Sequence, residues 1–252
     1  KNLSYIENTY DENRPFFKEG SDLFNRNNLF YSRRIGKVPS GFYSAESQLG
    51  ANEKLVDNPS QVKLLNALRF SGRTGNGLGV GLFNAVTDNC YAIAENPAGQ
   101  QRKILTEPLT NYNAFTLDQQ LKNNSDVYVY NTSVIRDGNS YDANVTSAGF
   151  LLSNKKNTYE IGLDGGLSTR FSLPDDLGKT SNENGYAYRF RINKLGGNFG
   201  YGYERLVYDD QYYTSDLGYQ TINNTSKNTL SLEYRLYKPW KFIRSSYNNI
   251  NY

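Results

Sequence analysis

The chain of 252 residues contains no histidine, no methionine, one cysteine (Cys90) and one tryptophan. The missing imidazole removes Ser-His-Asp triads, Cys-His pairs and most zinc sites, because few other side chains exchange a proton near neutral pH. A lone cysteine cannot close an internal disulfide, so a disulfide-stapled secreted fold is excluded, and Cys90 reads as a small loop or strand-end residue. No apolar run approaches the ~20 residues a membrane helix needs. The longest uncharged candidate, Leu78 to Thr87, is a glycine-containing strand pattern. Charge of one sign is also lacking: the net charge is +3, dispersed along the chain, and no basic block points to nucleic acid. The chain begins with Lys, which reads as a mature or interior piece.

What is present is tyrosine and glycine, 22 of each, with a mean hydropathy of -0.70. A soluble core of this size would be thin. Segment 1–60 is polar, holds Pro15, Pro39 and Pro59, and shows no sustained period, so it reads as irregular with short elements. Ten candidate strands follow, at 61–72, 77–89, 111–121, 126–136, 144–153, 158–171, 185–193, 198–208, 229–237 and 240–252. Their connections alternate between short (73–76, 122–125, 154–157, 194–197, 238–239) and long (90–110, 137–143, 172–184, 209–228). Outer-membrane barrels sort their turns this way, with tight periplasmic turns and long extracellular loops. Asn76-Gly77 reads as a hairpin turn.

The strand faces are unlike. In 158–171, Ile161, Leu163 and Leu167 share one phase and Glu160, Asp164 and Arg170 the other. In 185–193, Tyr188 and Phe190 oppose Arg189 and Arg191; in 229–237, Leu232 and Tyr234 oppose Glu233 and Arg235. A basic side chain facing lipid at the bilayer midplane costs ~2–4 kcal/mol. The expectation is therefore an all-β, antiparallel transmembrane outer-membrane β-barrel, complete or part of a larger one. Its lipid-facing residues are Ile161, Leu163, Leu167, Tyr188, Phe190, Leu232 and Tyr234, and the charged set faces the lumen. Arg205 breaks the pattern, sharing the phase of Phe199, Tyr201 and Tyr203, which suits only an interfacial position.

The segments RPFFKEGSDLF (Arg14–Phe24) and LFYSRRIG (Leu29–Gly36), then ALRFSGRTGNGLGVGLFNAVTD (Ala67–Asp88) and SDLGY (Ser215–Tyr219), resemble an uncharacterised Bacteroidota outer-membrane family. In that family an amino-terminal carbohydrate-binding domain of the family-nine type precedes a membrane β-barrel. The resemblance implies location and architecture, with the sugar-binding domain upstream of Lys1 and absent here, and no assigned activity. In physical terms Arg14, Arg33 and Arg34, with Glu19 and Asp22, form a candidate lumen plug or brace, the arginines bonding lumen-facing carboxylates bidentately or binding an anionic ligand.

The tyrosines read as interfacial girdles or sheet packing, with sugar stacking by Tyr208, Tyr212, Tyr213 and Tyr219 as the alternative. Asp209, Asp210 and Asp216 are candidate calcium ligands but lack the DxDxDG spacing. GRTGNGLG (Gly72–Gly79) lacks the GK[ST] ending of a phosphate loop. No catalytic residue, cofactor or metal is expected. The functional expectation is a non-enzymatic channel or surface scaffold of the bacterial outer membrane, linked to glycan binding, uptake or surface assembly. Its expected partners are outer-membrane lipid, glycans held by loops or by the missing upstream domain, and other outer-membrane proteins. The rival readings are a soluble secreted β-sandwich carbohydrate-binding module and a barrel enzyme using a carboxylate pair.

Overall fold

The computed structural model describes residues 12–18, 22–174, 178–236 and 246–251. Glu19, Asp175, Asp176 and the 238–239 turn lie outside the described residues. The protein is all-β, and its sheets are antiparallel. Among the described residues the one α-helix is the single turn α1 (Pro15–Lys18), and no helix there is long and apolar enough to cross a membrane.

Ten strands form one antiparallel sheet: β2 (Leu64–Arg73), β3 (Leu78–Thr87), β6 (Thr110–Gln120), β7 (Asp126–Arg136), β8 (Asp142–Ser153), β9 (Tyr159–Pro174), β10 (Thr180–Lys194), β11 (Phe199–Tyr208), β12 (Thr225–Leu236) and β13 (Ser246–Asn251). They lie side by side in chain order, so each tight turn is a hairpin. The first turn closes at Gly77, whose φ of 85° is open to glycine at little cost. Among the described residues β2 and β13 each pair on one side only, and the sheet is open rather than a closed barrel.

Three strands escape the sequence reading. β1 (Lys54–Asp57) lies in the segment expected to be irregular, and β4 (Cys90–Glu95) with β5 (Gln101–Glu107) lie in the expected 90–110 loop. Together they make a separate sheet in the order β1-β4-β5, closed over Ala45, Ala92, Ala94 and Ile104. Glu53 bridges to Arg102 at 2.7 Å, and that guanidinium holds the Glu53 carboxyl down at about 2. Cys90 is the buried first residue of β4. A second correction concerns the connections: β9 runs on to Pro174 and β10 begins at Thr180, which shortens the expected 172–184 loop to 175–179. The alternation of short and long connections is thus carried chiefly by 88–109 and 209–224.

Pleating gives the large sheet two unlike faces. One is covered: Phe83, Ala85, Tyr112, Ala114, Tyr128, Tyr130, Val134 and Val145 pack there against Phe17, Phe24, Leu29, Ile35, Tyr212 and Leu217 from outside the sheet. The other is bare. Leu68, Phe70, Leu82, Val129, Ile161, Leu163, Leu167, Ile192, Leu230 and Leu232 all stand exposed there. The register aligns Phe150, Leu163 and Phe190 across three strands of this face. Six residues along each strand, towards the 137–141 connection, a row of uncharged polar side chains replaces them: Asn84, Asn113, Ser133, Asn144, Thr169 and Asn184. Five of those groups bond to one another or to close neighbours, with Asn84 donating to Asn111 and Asn113 at 2.6 and 2.8 Å, Asn144 exchanging bonds with Asn131 and Thr169 donating to Asn184 at 2.8 Å.

Candidate functional site

Two chain segments cross the covered face and hold each other. Residues 22–36 form one, and the 209–224 connection forms the other. Tyr31 donates its amide to the Leu217 carbonyl at 2.7 Å, Tyr219 donates to the Asn28 carbonyl at 2.8 Å, and Arg34 donates to the Gly218 carbonyl at 3.0 Å. Glycine permits this approach, since a Cβ on Gly218 would lie 2.6 Å from the Asn28 carbonyl oxygen. Gly185 and Gly166 do the same on the sheet, where any side chain at Gly185 would collide with the backbone of Gln211 and Tyr212.

Charged groups fasten both segments to the strands. Arg26 donates to Asp118 at 2.7 Å and to Asp126 at 2.8 Å, while its guanidinium lies 4.1 Å from the Tyr128 ring centroid. Arg73 reaches the same Asp118 at 2.5 Å. On the other segment Asp216 accepts from Arg136 at 2.5 Å and from the Tyr141 hydroxyl at 2.8 Å, and both members of the ion pair are buried. Burial pushes the Tyr141 and Tyr212 hydroxyls well above the usual phenol range. Arg170 pairs with Glu183 and lies 4.5 Å from the Tyr213 ring centroid.

Four of the expected brace residues, Arg14, Asp22, Arg33 and Arg34, lie among the described residues. Arg14 donates to Glu12 and to the Ser32 and Ile35 carbonyls, so its carboxylate partner is on its own segment rather than on the sheet. Burial raises the Glu12 carboxyl, but hydrogen bonds from Arg14 and Ser32 outweigh it and hold the pKa at about 2. Arg33 and Arg34 sit in the 3-10 turn Ser32–Arg34, with Arg34 bonded to a backbone carbonyl, and Asp22 is exposed. The residue that bridges two sheet carboxylates is Arg26. Its isolated position gave no sequence signal, because its partners lie 92 and 100 residues away.

Glu160, Asp164, Arg170, Arg189, Arg191, Glu233 and Arg235 all occupy the phase of the covered face. Ile161, Leu163, Leu167, Tyr188, Phe190, Leu232 and Tyr234 occupy the bare phase, with Tyr188 and Phe190 half-buried. Arg205 also stands on the bare face, where it donates to the Tyr188 hydroxyl at 2.9 Å and to Asn228 at 3.2 Å.

Where the two crossing segments meet β9, β10 and β11, they leave a cleft of about 450 Å³. Asn27, Asn28, Tyr208, Tyr212, Tyr219 and Gln220 contribute to its walls, with Asp164, Gly166 and Arg189 from the sheet. Asp164 accepts from the Tyr128 hydroxyl at 2.9 Å and from Arg189 at 3.2 Å, and Arg189 also donates to the Asn27 side-chain oxygen at 3.2 Å. Three of the four tyrosines read as candidate sugar-stacking residues line this cleft; Tyr213 does not. Asp216 is committed to Arg136, and no cluster of three or more potential metal ligands occurs among the described residues.

A family model described as Domain of unknown function (DUF5916) matches residues 1–252, and the chain belongs to that family. No curated protein and no solved structure matches it.

Proposed function

Taking membership of this family of unknown function as the premise, we propose that the chain forms the wall of an outer-membrane β-barrel and serves as a surface scaffold with an occluded interior. The observation that carries the reading is the bare face: an antiparallel sheet that leaves Leu68, Phe70, Leu82, Leu163, Ile192 and Leu232 exposed on one side. Contiguous apolar patches of this kind mark membrane or protein contacts. Hydrocarbon is the favoured occupant, because the charged residues of β9, β10 and β12 are drawn to the opposite face except Lys194 at the very end of β10, and Arg205 of β11 is bonded to the Tyr188 hydroxyl. The tight turns then point to the periplasm and the 88–109 and 209–224 connections to the outside. Closure takes up the open edges at β2 and β13 with further strands.

The scaffold is favoured over an open channel because the covered face is occupied by residues 22–36 and 209–222, clamped at Arg26 and Asp216. An enzymatic role is not part of this reading, since Asp164 and Glu233 are engaged by arginines and Glu160 by Asn193. The outer membrane of Bacteroidota, an upstream carbohydrate-binding domain, and partners among outer-membrane proteins belong to the same proposal through the sequence resemblance.

The test is refolding with and without lipid. The expected result is a folded, protease-resistant species in detergent or phospholipid vesicles, and little or no conductance in planar bilayers. A dispersed, folded monomer in plain buffer would overturn the membrane reading, and steady conductance by the intact chain would overturn the occluded interior.

A further inference from the structure

We propose that the cleft between the crossing segments and β9 to β11 is a binding site for a neutral oligosaccharide. Its composition sets the ligand class. The partly exposed rings of Tyr208 and Tyr219 offer apolar surfaces with a polar tip, suited to the C–H face of a pyranose. Asn28 and Thr221 stand exposed at the rim and supply an amide and a hydroxyl that both donate and accept, as sugar hydroxyls require. The cleft's two charged lining residues, Asp164 and Arg189, are paired at 3.2 Å, so it offers no surplus charge to an anion or a cation.

The walls are built rather than left over. Gln220 fixes the loop by donating to the Tyr212 and Ile222 carbonyls, each at 2.9 Å, and accepting from the Thr214 amide at 3.0 Å. Tyr212 lies over Gly166, occupying the space a side chain there would take. At about 450 Å³ the cavity lies within the ~300–1,000 Å³ range of small-molecule sites, room for one or two sugar rings. The site stands apart from the bare face: failure to insert into lipid would leave the cleft intact, and failure to bind sugar would leave the wall intact.

The experiment is titration of the folded full chain with a panel of neutral oligosaccharides (gluco-, xylo-, manno- and chito-) and their uronate counterparts. Asn28 has a φ of 55°, a conformation glycine adopts freely, so Asn28→Gly removes the amide and keeps the turn. Thr221→Trp obstructs the mouth from an exposed position, and Asn139→Ser in a different connection is the control. The expected result is saturable binding of at least one neutral member, weakened about fivefold or more by Asn28→Gly and also weakened by Thr221→Trp, with Asn139→Ser unchanged. Absence of saturable binding by every neutral member, tighter binding of the uronates, or binding that neither variant alters would overturn the proposal.

Discussion

Replacing Asp216 by asparagine should unfasten the 209–224 segment while leaving the strands paired. The carboxylate accepts two hydrogen bonds on one oxygen, from Arg136 at 2.5 Å and the Tyr141 hydroxyl at 2.8 Å, and both members of the ion pair are less than a tenth exposed. Asparagine preserves the shape but withdraws the charge. Its amide oxygen can still accept from Arg136, but the guanidinium is left without a counter-charge, held otherwise by the Tyr141 carbonyl at 2.8 Å and the Tyr141 ring at 4.5 Å. Removing one partner of a buried ion pair costs about 3–5 kcal/mol, much of it the burden of the charge left behind. Arg136→Met combined with Asp216→Leu should therefore recover most of the loss, because it removes both charges and keeps the volume. The readout is hydrogen exchange at the amides of Tyr31 and Gly218, which bond to Leu217 and Thr214 across and within the segment. A local cost near 3 kcal/mol corresponds to about a hundredfold faster exchange, with amides in the middle of β7 and β8 unchanged. The reasoning fails if the single variant stays folded and exchanges less than about tenfold faster, or if the double variant is as loose as the single.

Three further outcomes are expected. Leu163→Arg, on the bare face between Phe150 and Phe190, should reduce folding stability in phospholipid by about 2–4 kcal/mol, while Leu163→Phe should be nearly silent; equal effects in urea titrations of the lipid-folded protein would count against lipid contact. Gly185→Ala should unseat the Gln211–Tyr212 turn at a cost of about 1–3 kcal/mol, detected as faster proteolysis of the 209–224 segment, and unaltered proteolysis would contradict the close approach. Because the Glu12 carboxyl is held below its ordinary value at about 2, its contribution is complete above about pH 4.5 and is lost as pH falls towards 2. Attachment of the 12–36 segment should weaken across that window, and Glu12→Gln should flatten the dependence followed by Arg14 or Ser32 chemical shifts.

The strands of the large sheet were legible because period-two alternation is a local signal: 126–136 matches β7 at both ends, and the two phases of 158–171 are the two faces of β9. The small sheet was not, since β1 is four residues long and β4 and β5 are joined by the tight Asn96–Gln100 turn within what reads as one connection. The extended reach of β9 and β10 was hidden by polar residues at 180–184, which pair as strand although they carry no apolar alternation. Site residues followed the same division. Phase puts Asp164 and Arg189 in one register row, as the strand pairing has them, but nothing near Arg26 in the chain announces Asp118 and Asp126, and nothing near Asp216 announces Arg136. Such partners become neighbours only after the sheet has formed.

The chain-order meander also dictates an assembly sequence. Apart from β6 and β12, which are reached across 88–109 and 209–224, each strand can zip onto the one before it through a short connection, a succession of small loop closures with modest entropic cost. Residues 22–36, although they precede the strands in the chain, find their anchoring carboxylates only once β6 and β7 exist and their loop clasp only after β11, so this segment settles after the strands that hold it. Shielding this stretch until the strands have paired would protect a contact that forms late.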